Sequence, residues 1–195
     1  MKVIFLDNDG VICLSDNWGG RFKKQKKWGG RKLSMTNKEI PVEYRFDNFN
    51  KKAVKVLNEI LEETGAEIVI SSDWKHHATL EELGEYYLSQ GIIKKPIAVT
   101  PNLGQCTWYK DWVWSRDWGL EMTRVIEIKQ YLNDHPEITN WVAIDDLNMG
   151  KTGMYYGMSF KHDWALDNFV YTPLAKEGIK QSGIKDKILK FLIND

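Results

Sequence analysis

The chain has 195 residues, of which 43% are apolar, and its 27 basic groups balance its 27 acidic ones. That length can bury a sizeable core but is short for two domains, so a single domain over residues 1–195 is expected; the balanced charge points to no partner until its distribution is examined. No apolar stretch reaches membrane-spanning length, the first apolar run passes directly into acids rather than into a secretory cleavage site, and the two cysteines, Cys13 and Cys106, make neither a disulfide framework nor zinc-ligand spacing, so a reduced, cytoplasmic protein with no membrane contact is expected.

The first element carries the most information. Val3-Ile-Phe-Leu6 is an unbroken apolar run, which suits a parallel strand covered on both faces, and it delivers Asp7 and Asp9 onto Gly10. Ligands in open α/β sheets sit beyond the carboxyl ends of such strands. Asp-x-Asp-Gly is also ordinary turn chemistry after a strand, so the motif acquires meaning only from the rest of the chain.

Residues 17–38 carry no acid, while Arg21, Lys23, Lys24, Lys26, Lys27, Arg31, Lys32 and Lys38 are all basic. The segment repeats Trp18-Gly-Gly-Arg21 as Trp28-Gly-Gly-Arg31. Two glycine-bearing arms of this kind suggest a hairpin over a pocket, giving a basic flap in an insertion at about 15–50. Two readings stand side by side: a solvated loop whose tryptophans cover core, or an electrostatic lid for a polyanion with indole faces on which bases stack.

Ala53, Val54, Leu57, Ile60 and Leu61 recur at helical spacing and Gly65 ends that helix. Ala66-Glu-Ile-Val-Ile70 follows as a second strand and runs into Ser71-Ser72-Asp73. His76 and His77 are adjacent, point apart and lack a third ligand, so a loop role outweighs metal binding. A third strand at Ile97-Ala-Val99 precedes a Trp-rich loop at about 101–122 with Trp108, Tyr109, Trp112, Trp114 and Trp118. A satellite core is the usual explanation for such a cluster, although the interleaved Lys110, Arg116 and Arg124 also suit a stacking platform for a single strand. Val125, Ile128 and Leu132 mark another helix that Asp134-His-Pro136 stops, and Trp141-Val-Ala-Ile144 is a strand ending in Asp145-Asp146. His162 and Asp163 lie beyond it with nothing to fix their geometry. Gly150-Lys151-Thr152-Gly153 lacks the upstream glycine of a phosphate loop. Strands alternating with helices give a parallel α/β sheet, and right-handed crossovers bring the strand ends to one edge.

Four of these signals, in order, resemble the haloacid dehalogenase-like (HAD) phosphohydrolases: Asp7-Asn8-Asp9-Gly10-Val11, the serine ending Ile68-Val-Ile-Ser71, a basic residue near Arg124, and Ile144-Asp145-Asp146. Ser71-Ser72-Asp73-Trp74-Lys75, the Arg124 to Leu132 helix, and Phe169-Val-Tyr-Thr-Pro followed by Gly178-Ile179 are similar to the branch named after Swiss Army Knife RNA-repair proteins. The resemblance implies a HAD-like, Rossmann-type three-layer sandwich. Its strands would lie near 2–7, 66–71, 97–99, 140–145 and 168–171 in the order 5-4-1-2-3, with a closing helix at 184–193.

It also implies a chemistry. An aspartate is ionised near neutrality and can attack phosphorus to give an aspartyl-phosphate, the role expected of Asp7. Asp9 would protonate the departing oxygen and later deprotonate water, its side chain directed at the leaving group. Two acids and a phosphate repel, and Mg2+ suits their union because it takes oxygen ligands and bridges carboxylate to phosphate. By resemblance its ligands are the Asp7 carboxylate, the Asp9 carbonyl and the Asp145 carboxylate, with Asp146 through water or orienting the others. Ser71 would hold a phosphoryl oxygen and Arg124 its charge, with Lys129 the rival one turn further into the helix. Asn8, Gly10, Ser72, Lys75, Arg21 and Arg31 are the expected substrate contacts. The substrates implied are phosphomonoesters of nucleotides or nucleic-acid ends, with a small non-nucleotide ester as the alternative. A nucleic-acid-binding protein on the same scaffold is the reading from another class, and fold alone does not decide between them.

Overall fold

The apolar runs at 3–6, 68–70 and 141–144 become the middle of the sheet because each can be covered on both faces. The computed structural model describes residues 1–29, 39–103, 116–150, 152–155, 158–161 and 165–193. In chain order the elements are β1 (Lys2–Leu6), α1 (Gly20–Gly29), α2 (Val42–Arg45), α3 (Lys51–Thr64), β2 (Glu67–Ile70), α4 (Leu80–Ser89), β3 (Ala98–Val99), α5 (Arg116–Asp134), β4 (Asn140–Asp145), β5 (Thr152–Tyr155), β6 (Met158–Lys161), β7 (Phe169–Tyr171) and α6 (Ile184–Ile193). The sheet is parallel throughout, in the order β3-β2-β1-β4-β7. This is the order expected from the sequence. The antiparallel hairpin β5–β6 stands apart from it and has no counterpart among the expected elements.

Alternation along β1 assigns the layers. Ile4 and Leu6 join the cluster that contains Leu57 and Ile60 of α3, Leu83 of α4 and Ile188 of α6. Val3 and Phe5 join Val125 and Ile128 of α5 on the other face. Helices therefore cover both sides, as period-two side chains in a two-sided sheet require. The ends of α3 are chemically marked: the Asn50 side chain accepts from the backbone N–H groups of Lys52 and Ala53, and Gly65 takes the left-handed conformation at φ 67°.

Register decides where chemistry can occur. Leu6 is level with Ile70 on one side and Ile144 on the other. The next residue of each strand, Asp7, Ser71 and Asp145, therefore emerges at the same sheet edge.

The basic segment departs from the hairpin expected of its first arm. Residues 20–29 form α1, since Arg-Phe-Lys-Lys-Gln-Lys-Lys is rich in straight-chain helix formers and the Asp47 carboxylate accepts from the N–H groups of Gly19 and Arg21 at its start. The second arm, including Arg31, lies outside the described residues. So do most of the Trp-rich loop, with Trp108, Tyr109, Trp112 and Trp114, and His162 and Asp163. Among the described residues, no helix is long and apolar enough to cross a membrane.

The C-terminal segment buttresses the first motif. Ile179 donates its N–H to the Val11 carbonyl at 3.0 Å, and a Cβ on Gly178 would stand 2.2 Å from that oxygen and 2.8 Å from the Gly10 carbonyl. Backbone cannot yield as a flexible side chain can, and Gly178 sits at φ 52°. Gly178→Ala is expected to destabilise the fold by about 2–4 kcal/mol, read as a lowered midpoint in urea; a midpoint within error of the parent would show that the two segments part easily.

Candidate active site

Asp7 leaves β1 as a buried carboxyl, its own N–H paired with the Ile144 carbonyl at 3.0 Å. Asp145 leaves β4 fully buried, and Asp146 follows it. Ligand oxygens of these three acids lie within 4.8 Å of one another. Arg124 enters between them, Nη1 standing 3.1 Å from Asp7 Oδ1 and 2.7 Å from Asp145 Oδ2, while Nη2 reaches Asp73 Oδ1 at 3.1 Å. Asp145 Oδ1 accepts from the Leu147 N–H at 2.8 Å.

The electrostatics follow from that crowding. Burial raises the Asp7 pKa well above the ordinary carboxylate value; Arg124 pulls it back down, and Asp145 and Asp146 push it further up. Asp145 is raised by burial against the pull of Arg124. Burial and then Asp145 raise Asp146 to about 6. For Arg124 burial works against the charge, but Asp145 and Asp7 overcome it and keep the guanidinium protonated. Three acids share one guanidinium in a largely buried place, and a hard divalent cation would favour their ionised forms. Among the described residues this is the group of acids able to share an ion, and His76–His77 is not part of it.

Gly10 is required here for space as well as for its φ of 73°. A Cβ would fall 2.1 Å from Asp146 Oδ2, so only glycine lets that carboxylate close over the motif. The turn is tied by three N–H groups, of Val11, Ile12 and Cys13, that all converge on the Asn8 carbonyl. They leave the Asp9 carbonyl unclaimed by those donors.

The Asp9 side chain is held by the segment after β2. Its Oδ2 accepts from the indole N–H of Trp74 at 2.8 Å. Burial raises its pKa, against which the Trp74 bond acts. Trp74 is held flat between Phe46 and Phe49, with ring centroids 4.3 and 5.4 Å away. The motif after β2 and the insertion after β1 thus meet around one acid.

Ser71 and Ser72 are both buried with hydroxyls that have no partner. An orphan hydroxyl at a strand end beside three acids is what a phosphoryl oxygen would satisfy. Arg124 lies more than two turns into α5, because that helix begins at Arg116 rather than beside it. It reaches the acids from the middle of the helix, whereas Lys129 is exposed and outside the cluster.

Several expected substrate contacts are occupied elsewhere. Asn8 turns its side chain into the core, where Oδ1 accepts from the Tyr87 hydroxyl at 2.5 Å. Alternation explains this: the residue between Asp7 and Asp9 faces the opposite way. Arg21 is drawn to Asp47, Nη1 to Oδ2 at 3.1 Å. Lys75 is buried against Glu127 and donates to Thr100 Oγ1 at 2.9 Å and the Pro101 carbonyl at 3.2 Å. Asp47, Trp74 and Glu127 were not legible as site-building residues, since each acts through a partner 26 to 65 positions away.

A family model described as the HAD domain in Swiss Army Knife RNA repair proteins matches residues 3–176. No curated protein and no solved structure matches the chain.

Proposed function

The chain belongs to the family of HAD domains in Swiss Army Knife RNA repair proteins, and from that premise, which implies phosphohydrolase-type activity, we propose a magnesium-dependent phosphatase that works through an aspartyl-phosphate. The observation that carries this reading is the convergence of Asp7, Asp145 and Asp146 within 4.8 Å, the first two bridged by Arg124, at the carboxyl ends of β1 and β4. Asp7, Asp145 and Asp146, with the Asp9 carbonyl, would hold Mg2+, which when bound offsets the repulsion between carboxylate and phosphate. Asp7 attacks phosphorus as the ester P–O bond breaks, and Asp9 gives its proton to the departing alkoxide. Asp9 then takes a proton from water as that water attacks the aspartyl-phosphate, returning free Asp7 and inorganic phosphate. Ser71 and Arg124 hold the phosphoryl oxygens, Arg124 compensating the charge that accumulates on them.

The test is turnover of p-nitrophenyl phosphate. Activity is expected with Mg2+ and lost in excess chelator or on Asp145→Ala. A ligand that binds only the folded chain stabilises it by about 2.7 kcal/mol at a hundred times its Kd, so Mg2+ is also expected to raise the Tm of the parent but not of Asp145→Ala. Full turnover in chelator would remove the metal from the mechanism.

The substrates we propose are phosphomonoesters of nucleotides or nucleic-acid ends. α1 supports this reading in a narrower form than the sequence suggested. Arg21 is committed to Asp47, and Lys24 donates to the Phe46 carbonyl and to Asn48, both at 2.8 Å, which leaves Lys23, Lys26 and Lys27 exposed. Trp18 donates its indole N–H to the Cys13 carbonyl at 3.0 Å and Trp28 stacks on Tyr44, and each keeps nearly half its surface open. Changing Lys23, Lys26 and Lys27 to glutamine is expected to reduce the slope of log Kobs against log salt for a single-stranded oligonucleotide by about two. An unchanged slope would refute a nucleic-acid track on this helix and favour a small-molecule ester.

A further inference from the structure

A cleft of about 320 Å³ opens between the segment after β2 and the first turns of α5, and Ser72 and Arg124 belong to its lining. It adjoins the acid cluster through both residues, since Ser72 follows Ser71 and Arg124 bridges Asp7 and Asp145. Its size lies at the lower end of small-molecule sites, roughly 300–1,000 Å³.

Two features of its wall indicate what it takes. The first is the orphan hydroxyl of Ser72, 2% exposed with no hydrogen-bond partner. A buried hydroxyl left unpaired is costly, so this position calls for a ligand atom that donates or accepts. The second is charge. Lys75 is spent on Glu127, Thr100 and Pro101, and Arg124 on Asp73, Asp7 and Asp145. Asp73 and Glu127, the partners of those cations, put two carboxylates on the same wall, Asp73 with its side chain largely open to the cleft's solvent, so a second phosphate entering here would find no uncommitted lysine or arginine and an acid at its approach. A neutral group rich in hydroxyls meets neither penalty.

We propose that this cleft seats the uncharged alcohol half of the ester, a ribose-type sugar, with Ser72 Oγ hydrogen-bonded to one of its hydroxyls and Asp73 excluding a second phosphate. This rests on the phosphohydrolase reading and narrows it: the chain acts on monophosphates of nucleosides or terminal riboses in preference to bisphosphates. Discrimination of this type is strong because a site built to pair a hydroxyl is left with a buried orphan when the hydroxyl is missing.

The experiment compares kcat/KM of the full chain with Mg2+ on a nucleoside 5′-monophosphate, a nucleoside 3′,5′-bisphosphate and p-nitrophenyl phosphate, for the parent, Ser72→Ala and Asp73→Asn. The parent is expected to prefer monophosphate over bisphosphate by about tenfold or more. Ser72→Ala is expected to lower the ratio of nucleotide to aryl-phosphate kcat/KM by about fivefold to tenfold, the value of one hydrogen bond. Its Tm should not fall, because the substitution removes an orphan. Asp73→Asn is expected to raise the bisphosphate-to-monophosphate ratio. Equilibrium dialysis of adenosine, the free alcohol, supplies a readout without turnover, with weaker retention by Ser72→Ala expected. Equal retention by parent and Ser72→Ala, or a bisphosphate preferred by the parent, overturns the assignment. Failure of the phosphohydrolase reading shows differently, as no turnover of p-nitrophenyl phosphate by the parent.

Discussion

Asp7→Asn is expected to lower phosphatase turnover by at least about a thousandfold while leaving the fold intact. The amide has the shape of the carboxylate but cannot serve as an anionic nucleophile. Its effect on folding should be small or favourable in metal-free buffer. Burial, Asp145 and Asp146 all disfavour the ionised Asp7, and the substituted amide carries no charge to disfavour. Arg124 keeps Asp145 and Asp73 as partners. The checks are initial rates on p-nitrophenyl phosphate with Mg2+, circular dichroism and Tm. A variant that retains a tenth of the parental turnover, or one that loses activity only because it unfolds, would take Asp7 out of the nucleophile's role.

Arg124→Met is expected to have the largest effect on stability, about 3–5 kcal/mol, because it leaves buried carboxylates without their cation. Asp145 is fully buried and Asp7 nearly so, whereas Asp73 is open to water and contributes little to the loss. Methionine keeps most of the packing volume, so the change reports on charge. The measurement is urea unfolding in chelator and again with Mg2+. Part of the loss should return with Mg2+, which supplies positive charge to the same acids. Turnover should stay low even then, since no guanidinium remains to compensate the phosphoryl oxygens. Parental stability in chelator would show that Asp7 and Asp145 do not need Arg124.

Pairing decided which cations of the basic segment remain exposed. Arg21 and Lys24 lie among identical-looking neighbours in the sequence, and nothing local distinguishes them from Lys23 or Lys26. Asp47, Phe46 and Asn48, more than twenty residues downstream, draw two of them inward. The first arm also became a helix where paired glycines suggested a hairpin, since straight-chain residues and the Asp47 contacts outweighed the turn signal. Arg124 stands beside the acids, but not at the helix start that the apolar periodicity indicated: α5 begins eight residues earlier, and Arg124 reaches the acids from within it.

The sequence by itself determined the parallel sheet, because long apolar runs, helical periodicity and acids placed directly after strands are local signals that survive without knowledge of contacts, and the resemblance of its four motifs to the family implied the strand order. Only the tertiary structure decided which side chains share the site. Register set Asp7, Ser71 and Asp145 level at one edge, and the open space of Gly10 let Asp146 approach. Long-range partners turned Asn8 toward Tyr87, Lys75 toward Glu127 and Asp9 toward Trp74. A side chain's direction is settled by the neighbour that satisfies its charge or hydrogen bond, and that neighbour is brought there by the fold.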